Sequence, residues 1–177
     1  MHTMEFWFDF ASNYSYLSMM RIRRLAADAG VQVQLKPFLL GPIFKTQGWD
    51  SSPFVLQKTK GDYVWRDMAR QCAKYGLRWQ QPSAFPRNGL LAARVALQGD
   101  GTPWLGEFCE QVLLANFADD RDIAGPCGHR RPPRPAGGRQ RGTDRGSWQR
   151  ALQGGAACAH CRGPGAWHLR GAHIFCR

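Results

Sequence analysis

The chain has 177 residues, about the length of a single domain, and its 24 Lys and Arg against 13 Asp and Glu give a formal net charge of +11. Its 44% hydrophobic residues exclude a chain that is disordered throughout. No run of residues approaches the roughly 20 apolar positions of a membrane span, and no secretion signal is recognisable, so we expect a cytoplasmic protein without a membrane partner. A net charge of this size is typical of proteins that bind nucleic acids or other anionic surfaces.

The charge is distributed unevenly along the chain. Residues 1–124 carry 14 basic and 12 acidic side chains, whereas residues 125–177 carry 10 Arg, no Lys and the single acid Asp144. The second part also contains 11 of the 20 Gly and 4 of the 6 Cys. We therefore predict a folded unit at 1–124 and a Gly- and Arg-rich segment at 125–177 that cannot bury a core and is disordered.

The first part begins with the pattern of a βαβ unit. The aromatic run at 5–10 predicts a buried strand, and the uninterrupted segment at 12–29 predicts a helix that ends before a Gly. Alternating apolar residues at 31–35 predict a second strand, which must run parallel to the first.

The rest of the first part predicts helices and no further strand. Pro and Gly residues at 37–53 indicate a loop, and helices are predicted at 62–75, 88–98 and 105–115, the last with an amphipathic spacing of apolar residues. Because a two-stranded parallel sheet is marginal by itself, this fold requires further strands from residues 125–177.

The polar turn between the first strand and the first helix is a candidate site. Ser12 lies where the helix dipole and unpaired backbone N–H groups stabilise an anion such as a thiolate. The alternative is that Ser12 only caps the helix. A disulfide oxidoreductase is excluded because residues 11–14 contain no C-x-x-C, and we expect Cys72 and Cys109 to be small buried hydrophobes.

The same turn resembles a family signature. Residues 9–17 read D-F-A-S-N-Y-S-Y-L and are similar to the D-F-x-S-P-Y-S-Y-L motif of the 2-hydroxychromene-2-carboxylate isomerases, with Asn13 in place of the usual Pro. The resemblance extends over residues 4–124, where further family motifs occur in the same order: P-F-L-L-G-P-I-F-K at 37–45, G-W-D at 48–50, S-P-F at 52–54, K-G-D-Y-V-W-R-D at 60–67, F-P-R-N-G-L-L-A-A-R at 85–94 and F-A-D-D-R-D-I-A at 117–124.

The resemblance implies an α/β thioredoxin-like fold of the DsbA and kappa glutathione transferase type, with a helical insertion and, in this chain, without its C-terminal strands. It further implies a homodimer that uses glutathione as a cofactor. The implied activity is a cis–trans isomerisation in aromatic catabolism, between 2-hydroxychromene-2-carboxylate and trans-o-hydroxybenzylidenepyruvate. A kappa-like glutathione transferase acting on other electrophiles is the alternative within the same fold.

Three residues match functional positions of the family. Ser12 matches the catalytic serine, which hydrogen-bonds the glutathione sulfur and favours its thiolate. Lys60 matches a lysine that contacts the glutathione carboxylate, although an exposed surface lysine is the alternative interpretation. Asp50 falls at a third glutathione contact, where many relatives have Asn.

Residues 125–177 lack the strand with a cis-proline and the G-N-D-R segment with which the family continues. The codons of residues 167–177, read one base later, permit G-I-F-G-A-P-T-F-F-V, the sequence of that missing strand. Residues 125–135 read in the same way permit D-P-A-V-I-A-A-L-L-A, which continues the family's next helix. We therefore predict that 125–177 is translated out of frame and that the chain with this tail is inactive.

The tail has motifs of its own, which support an alternative function. A basic module that binds zinc or nucleic acid would use the Arg-rich run at 130–134 for phosphate contacts. The tail has one C-x-x-C and otherwise non-standard spacings, so we expect no metal site and no nucleic-acid partner. Its residues of zinc-ligand type are Cys158, His160, Cys161, His168, His173 and Cys176.

Overall fold

The computed structural model describes residues 2–125. The predicted frame-shifted segment lies outside that range except for its first residue, Gly125, and all of its residues of zinc-ligand type lie outside it. The described part contains a parallel two-stranded sheet and six helices. In chain order the elements are β1 (His2–Phe8), α1 (Asn13–Asp28), β2 (Val31–Pro37), α2 (Leu40–Thr46), α3 (Pro53–Leu56), α4 (Lys58–Tyr75), α5 (Leu90–Gln98) and α6 (Leu105–Phe117).

The predicted βαβ unit is confirmed. Strands β1 and β2 pair in parallel, with His2 opposite Val31 and Phe8 opposite Pro37. Helix α1 begins after Ser12, whose side chain accepts a hydrogen bond from the Ser15 backbone N–H and so caps the first turn. Strand β1 ends two residues earlier than predicted, because the chain turns there and Ser12 N donates to the Asp9 carbonyl at 3.0 Å.

The prediction of a loop over 37–53 is wrong, since α2 occupies residues 40–46. Pro42 lies in the first turn of α2, where a helix loses no internal hydrogen bond to proline. The backbone N–H of Leu40 donates to the Asp9 carboxylate at 2.7 Å, which anchors the start of the helix to the end of β1. Helix α4 begins four residues before its predicted start and ends, as predicted, at Gly76, which has φ +64°.

The core lies between the sheet and the helices that cover it. Helix α1 packs against β2, α4 and α6, and α5 packs against β2 and α6. Phe10 makes edge contacts with Phe8 and Phe108, with ring centroids 5.1 and 6.2 Å apart. Ile123 is fully buried in the same cluster, so the packed unit extends to the end of the predicted folded part. Within residues 2–125, no helix combines the length and apolar character that a bilayer crossing requires.

Candidate functional site

A cavity of about 370 Å³ opens at the carboxyl end of β1. Its walls are the start of α1, the segment that runs from α2 to α3, and the loop at 85–89. Aromatic side chains supply much of this lining, and polar groups lie among them. The aromatic lining residues are Tyr14, Phe44, Trp49, Phe54 and Phe85.

Ser12 occupies the cavity wall at the N-terminus of α1. Its Oγ accepts a hydrogen bond from Ser15 N at 3.3 Å. A hydroxyl that accepts in this way keeps a proton to donate. The two interpretations of Ser12 are therefore compatible, because it caps the helix and also faces the cavity at the positive end of the helix dipole.

Asp9 forms the floor beneath this turn. Its carboxylate accepts backbone hydrogen bonds from Ala11 and from Leu40, both at 2.7 Å, and so joins the Ser12 turn to the start of α2. The side chain is 3% exposed, and burial raises the pKa of its carboxyl above the ordinary value while the two backbone bonds lower it. Asp9 thus fixes the distance between two walls of the cavity.

Tyr14 and Phe54 form the wall on the side of α4. The rings meet edge to face with centroids 6.4 Å apart, and the Tyr14 hydroxyl donates to Asp67 at 2.9 Å. Burial, and secondarily the Asp67 carboxylate, raises the pKa of Tyr14 to about 12, so this phenol is neutral at physiological pH. Because its hydroxyl hydrogen is donated to Asp67, Tyr14 forms a wall of the cavity that is anchored to α4.

The structure brings two of the three predicted site residues together. Ser12 and Asp50 both line the cavity. Lys60 is exposed on α4, with its Nζ 5.9 Å from the centre of the Phe54 ring, and is not among the described residues that line the cavity. Its predicted contact with a glutathione carboxylate stays a prediction.

Sequence analysis missed Lys45, which lies at the end of α2 and lines the cavity. Lys45 is the last residue of the P-F-L-L-G-P-I-F-K motif, so the motif could have marked it as a candidate. Because the segment was predicted as a loop, the sequence did not indicate where the Lys45 side chain lies. The other basic lining residue in the described part is Arg87, whose guanidinium binds Asn116, Ser83 and Asp120. Lys45 is consequently the lysine available to a ligand carboxylate.

The two cysteines of the described part, Cys72 and Cys109, are buried, as predicted, and neither lines the cavity. Burial raises the pKa of Cys72 to about 11 and that of Cys109 further above the ordinary thiol range. Such thiols are unreactive. Residues 2–125 contain no group of three or more potential metal ligands.

Comparisons with known proteins agree with this architecture. The sequence model of the DsbA-like thioredoxin domain family matches residues 3–113. A solved structure of a selenomethionine 2-hydroxychromene-2-carboxylate isomerase is similar, with a TM-score of 0.65 and 20% sequence identity, covering 88% of this chain and 73% of that one. At that identity the likeness shows the fold. A search of curated proteins finds no match.

Proposed function

The chain belongs to the DsbA-like thioredoxin domain family, and we propose that its cavity is the site of a glutathione-dependent cis–trans isomerase. The observation that carries the proposal is the position of Ser12. In this fold a redox enzyme needs a C-x-x-C at the start of α1, whereas this chain places a hydroxyl there, within a cavity lined by aromatic rings.

The residues fit the thiol end of glutathione. The Ser12 hydroxyl and the N-terminus of α1 both favour a sulfur anion, and the hydroxyl donates the hydrogen bond that holds it. Bound glutathione supplies a nucleophile that adds reversibly to a conjugated carbon–carbon double bond, which allows rotation about that bond.

The remaining cavity residues suit an aromatic carboxylate substrate. The exposed ammonium of Lys45 pairs with a carboxylate, and Phe44, whose ring lies 5.8 Å from that of Trp49, offers a surface on which an aromatic ring packs. Holding the substrate's double bond beside Ser12 supplies much of the rate, since orientation replaces a collision in solution.

We further propose that activity requires the frame that follows residue 124 in the relatives. Within the described residues the cavity lining runs from 9 to 89, and this part supplies one side of the cleft. The tripeptide backbone needs the opposite side, which the family builds from the cis-proline strand. Removing one base near codon 124, or restoring two, should open a reading frame that extends well beyond codon 177, and an early stop in that frame would contradict this account.

The experiment compares the present chain with the frame-restored protein. We expect the restored protein to bind glutathione and to isomerise 2-hydroxychromene-2-carboxylate, a reaction that absorbance measures. The present chain should neither bind glutathione nor isomerise this substrate measurably. Ser12→Ala should lower the rate of the restored protein by raising the pKa of the bound thiol, so the loss should shrink as the pH rises. Ser18→Ala, on an exposed position of α1, is the matched control.

Each outcome has a defined meaning. Full activity of Ser12→Ala at neutral pH would remove Ser12 from the mechanism. Activity of the present chain would overturn the proposal that its tail is out of frame. Glutathione binding with conjugation of other electrophiles, but without isomerisation, would favour the glutathione transferase alternative.

A further inference from the structure

Asn13 is the first residue of α1 and stands where the resembling family has proline. Asn13 is 1% exposed and lines the cavity beside Ser12. Within residues 2–125 its amide nitrogen Nδ2 has no hydrogen-bond partner. The chain therefore places a desolvated donor at the position where its relatives carry an apolar ring.

The other buried polar side chains show how unusual this is. Asp9 and Ser52 accept backbone hydrogen bonds, and Arg87 and Asn116 bind each other and the surrounding backbone. These four hold the protein's own segments together. The Asn13 amide nitrogen makes no such bond within the described residues, although leaving a buried donor unpaired is unfavourable.

The surroundings indicate the chemistry that would pair with this donor. The positive end of the α1 dipole and the Ser12 hydroxyl lie next to Asn13, and the Lys45 ammonium lies in the same lining. Each of these groups favours negative charge. The lining also contains two carboxylates, but that of Asp9 already accepts hydrogen bonds from the backbone N–H groups of Ala11 and Leu40, and Asp50 is exposed to solvent. An amide N–H in that field is complementary to a carboxylate or thiolate, and desolvation strengthens such a bond.

We propose that Asn13 is a specificity-determining residue that donates a hydrogen bond from its side-chain amide to the anionic group of the bound ligand. The inference rests on the proposed function, because it assigns a ligand contact in the same cavity. It separates this chain from relatives with proline at the position, which have no side-chain donor there. The ligand class for the described cavity is a small aromatic carboxylate, since the lining provides both rings and anion-binding groups.

The test uses the full chain with salicylate as the probe, and binding is followed by tryptophan fluorescence, because Trp49 lines the cavity. We expect Asn13→Leu and Asn13→Pro to raise the Kd about tenfold, which corresponds to one hydrogen bond to an anion. Asn13→Ser keeps a donor and should recover part of the affinity. Ser18→Ala should leave the Kd unchanged.

Thermal unfolding of the same variants separates ligand binding from folding. Proline is favourable at the first position of a helix, and the amide has no partner to lose, so Asn13→Pro should unfold at or above the temperature of the parent chain. A fall of more than about 5 °C in both Asn13→Pro and Asn13→Leu would show a structural amide and overturn the inference. So would an unchanged Kd, or a parent chain that does not bind salicylate.

The proposed function fails by a different result. If the frame-restored protein shows no glutathione-dependent isomerisation while salicylate binding still depends on Asn13, the isomerase proposal is wrong and the anion contact remains. If isomerisation depends on Ser12 but carboxylate affinity is indifferent to Asn13, the isomerase proposal stands and this inference is wrong.

Discussion

Replacing Arg87 by Met tests whether one buried guanidinium joins the cavity loop at 85–89 to the end of α6. The Arg87 side chain is 6% exposed, and its Nη1 donates to both the carbonyl and the side-chain oxygen of Asn116 at 3.1 Å. Its Nη2 pairs with the carboxylate of Asp120 and also donates to Ser83 Oγ at 3.3 Å. Asn116 in turn donates to the carbonyl of Phe10 at 2.9 Å, next to the Ser12 turn.

The expected loss follows from what the substitution leaves behind. Methionine fills much of the volume but pairs none of these acceptors, and a buried acceptor left without its partner costs about 1–3 kcal/mol. The Asp120 side chain is 25% exposed, so water can solvate its carboxylate once Arg87 is removed. The loss therefore comes from the two Asn116 oxygens, which are buried and lose their donor, and we expect about 3 kcal/mol in total. For a folded unit of this size the unfolding midpoint should drop by roughly 10 °C.

Thermal unfolding of the full chain, followed by circular dichroism, measures this loss. The matched control is Lys58→Met, because Lys58 pairs with Asp62 at the surface with its side chain 87% exposed, and exposed pairs contribute less than about 1 kcal/mol. Arg87→Lys keeps the charge without the forked donors and should fall between the two. A shift for Arg87→Met no larger than that of the control would refute the reasoning.

Three further outcomes are expected. Gly61→Ala should cost about 1–3 kcal/mol in urea unfolding, because a Cβ there would clash with the backbone carbonyl oxygen of Phe54. Gly41→Ala, with no described atom within 4 Å of its added Cβ, should change stability by less than about 0.5 kcal/mol, and equal effects of the two substitutions would contradict this. The backbone N–H of Ser83, and then Arg87, hold the pKa of Asp120 below its ordinary value of 3.8. The stabilisation of the fold by the Asp120 carboxylate is therefore present above that value and is lost as the pH falls through the lower folded-state pKa. Asp120→Asn should flatten the acid limb of a pH–stability profile, and an unaltered limb would assign acid unfolding to other carboxyls. The purified chain should contain no stoichiometric zinc, and its circular dichroism should not respond to a chelator; one zinc per chain with chelator-induced unfolding would support the binding-module alternative.

The βαβ unit was predictable because its signals are local. Apolar residues alternate over 31–35, a serine precedes α1 and a glycine follows it, and each of these signals acts through neighbouring residues of the chain. Helix α2 was not predictable by the same means, since Gly41 and Pro42 read as loop residues. The Asp9 carboxylate that anchors this helix lies 31 residues away from Leu40 in sequence, and a local pattern does not contain that contact.

The candidate site shows the same division. Ser12 could be identified as a candidate because a helix N-terminus is recognisable from adjacent residues, and its dipole favours an anion. The cavity position of Lys45 depends on α2, and the burial of Asn13 depends on what packs over the first turn of α1. From the sequence, residue 13 shows only that asparagine stands in place of the usual proline. The unpaired side-chain amide is recognised only once the surroundings of Asn13 are known.

The geometry of the cavity also explains why the two parts of the chain can be tested separately. In the part of the chain that the structure describes, the lining residues lie between Asp9 and Gly89. The contacts that fix the walls, from Asp9 to Leu40 and from Arg87 to Asn116, lie in the same part. A ligand that needs only this half, such as a small aromatic carboxylate, should therefore bind whichever frame follows residue 124. A tripeptide that spans the cleft should bind only when the opposite half is restored. The difference in tripeptide affinity between the frame-restored protein and the present chain therefore measures what the predicted frameshift removed, and the affinity for the small carboxylate serves as the control.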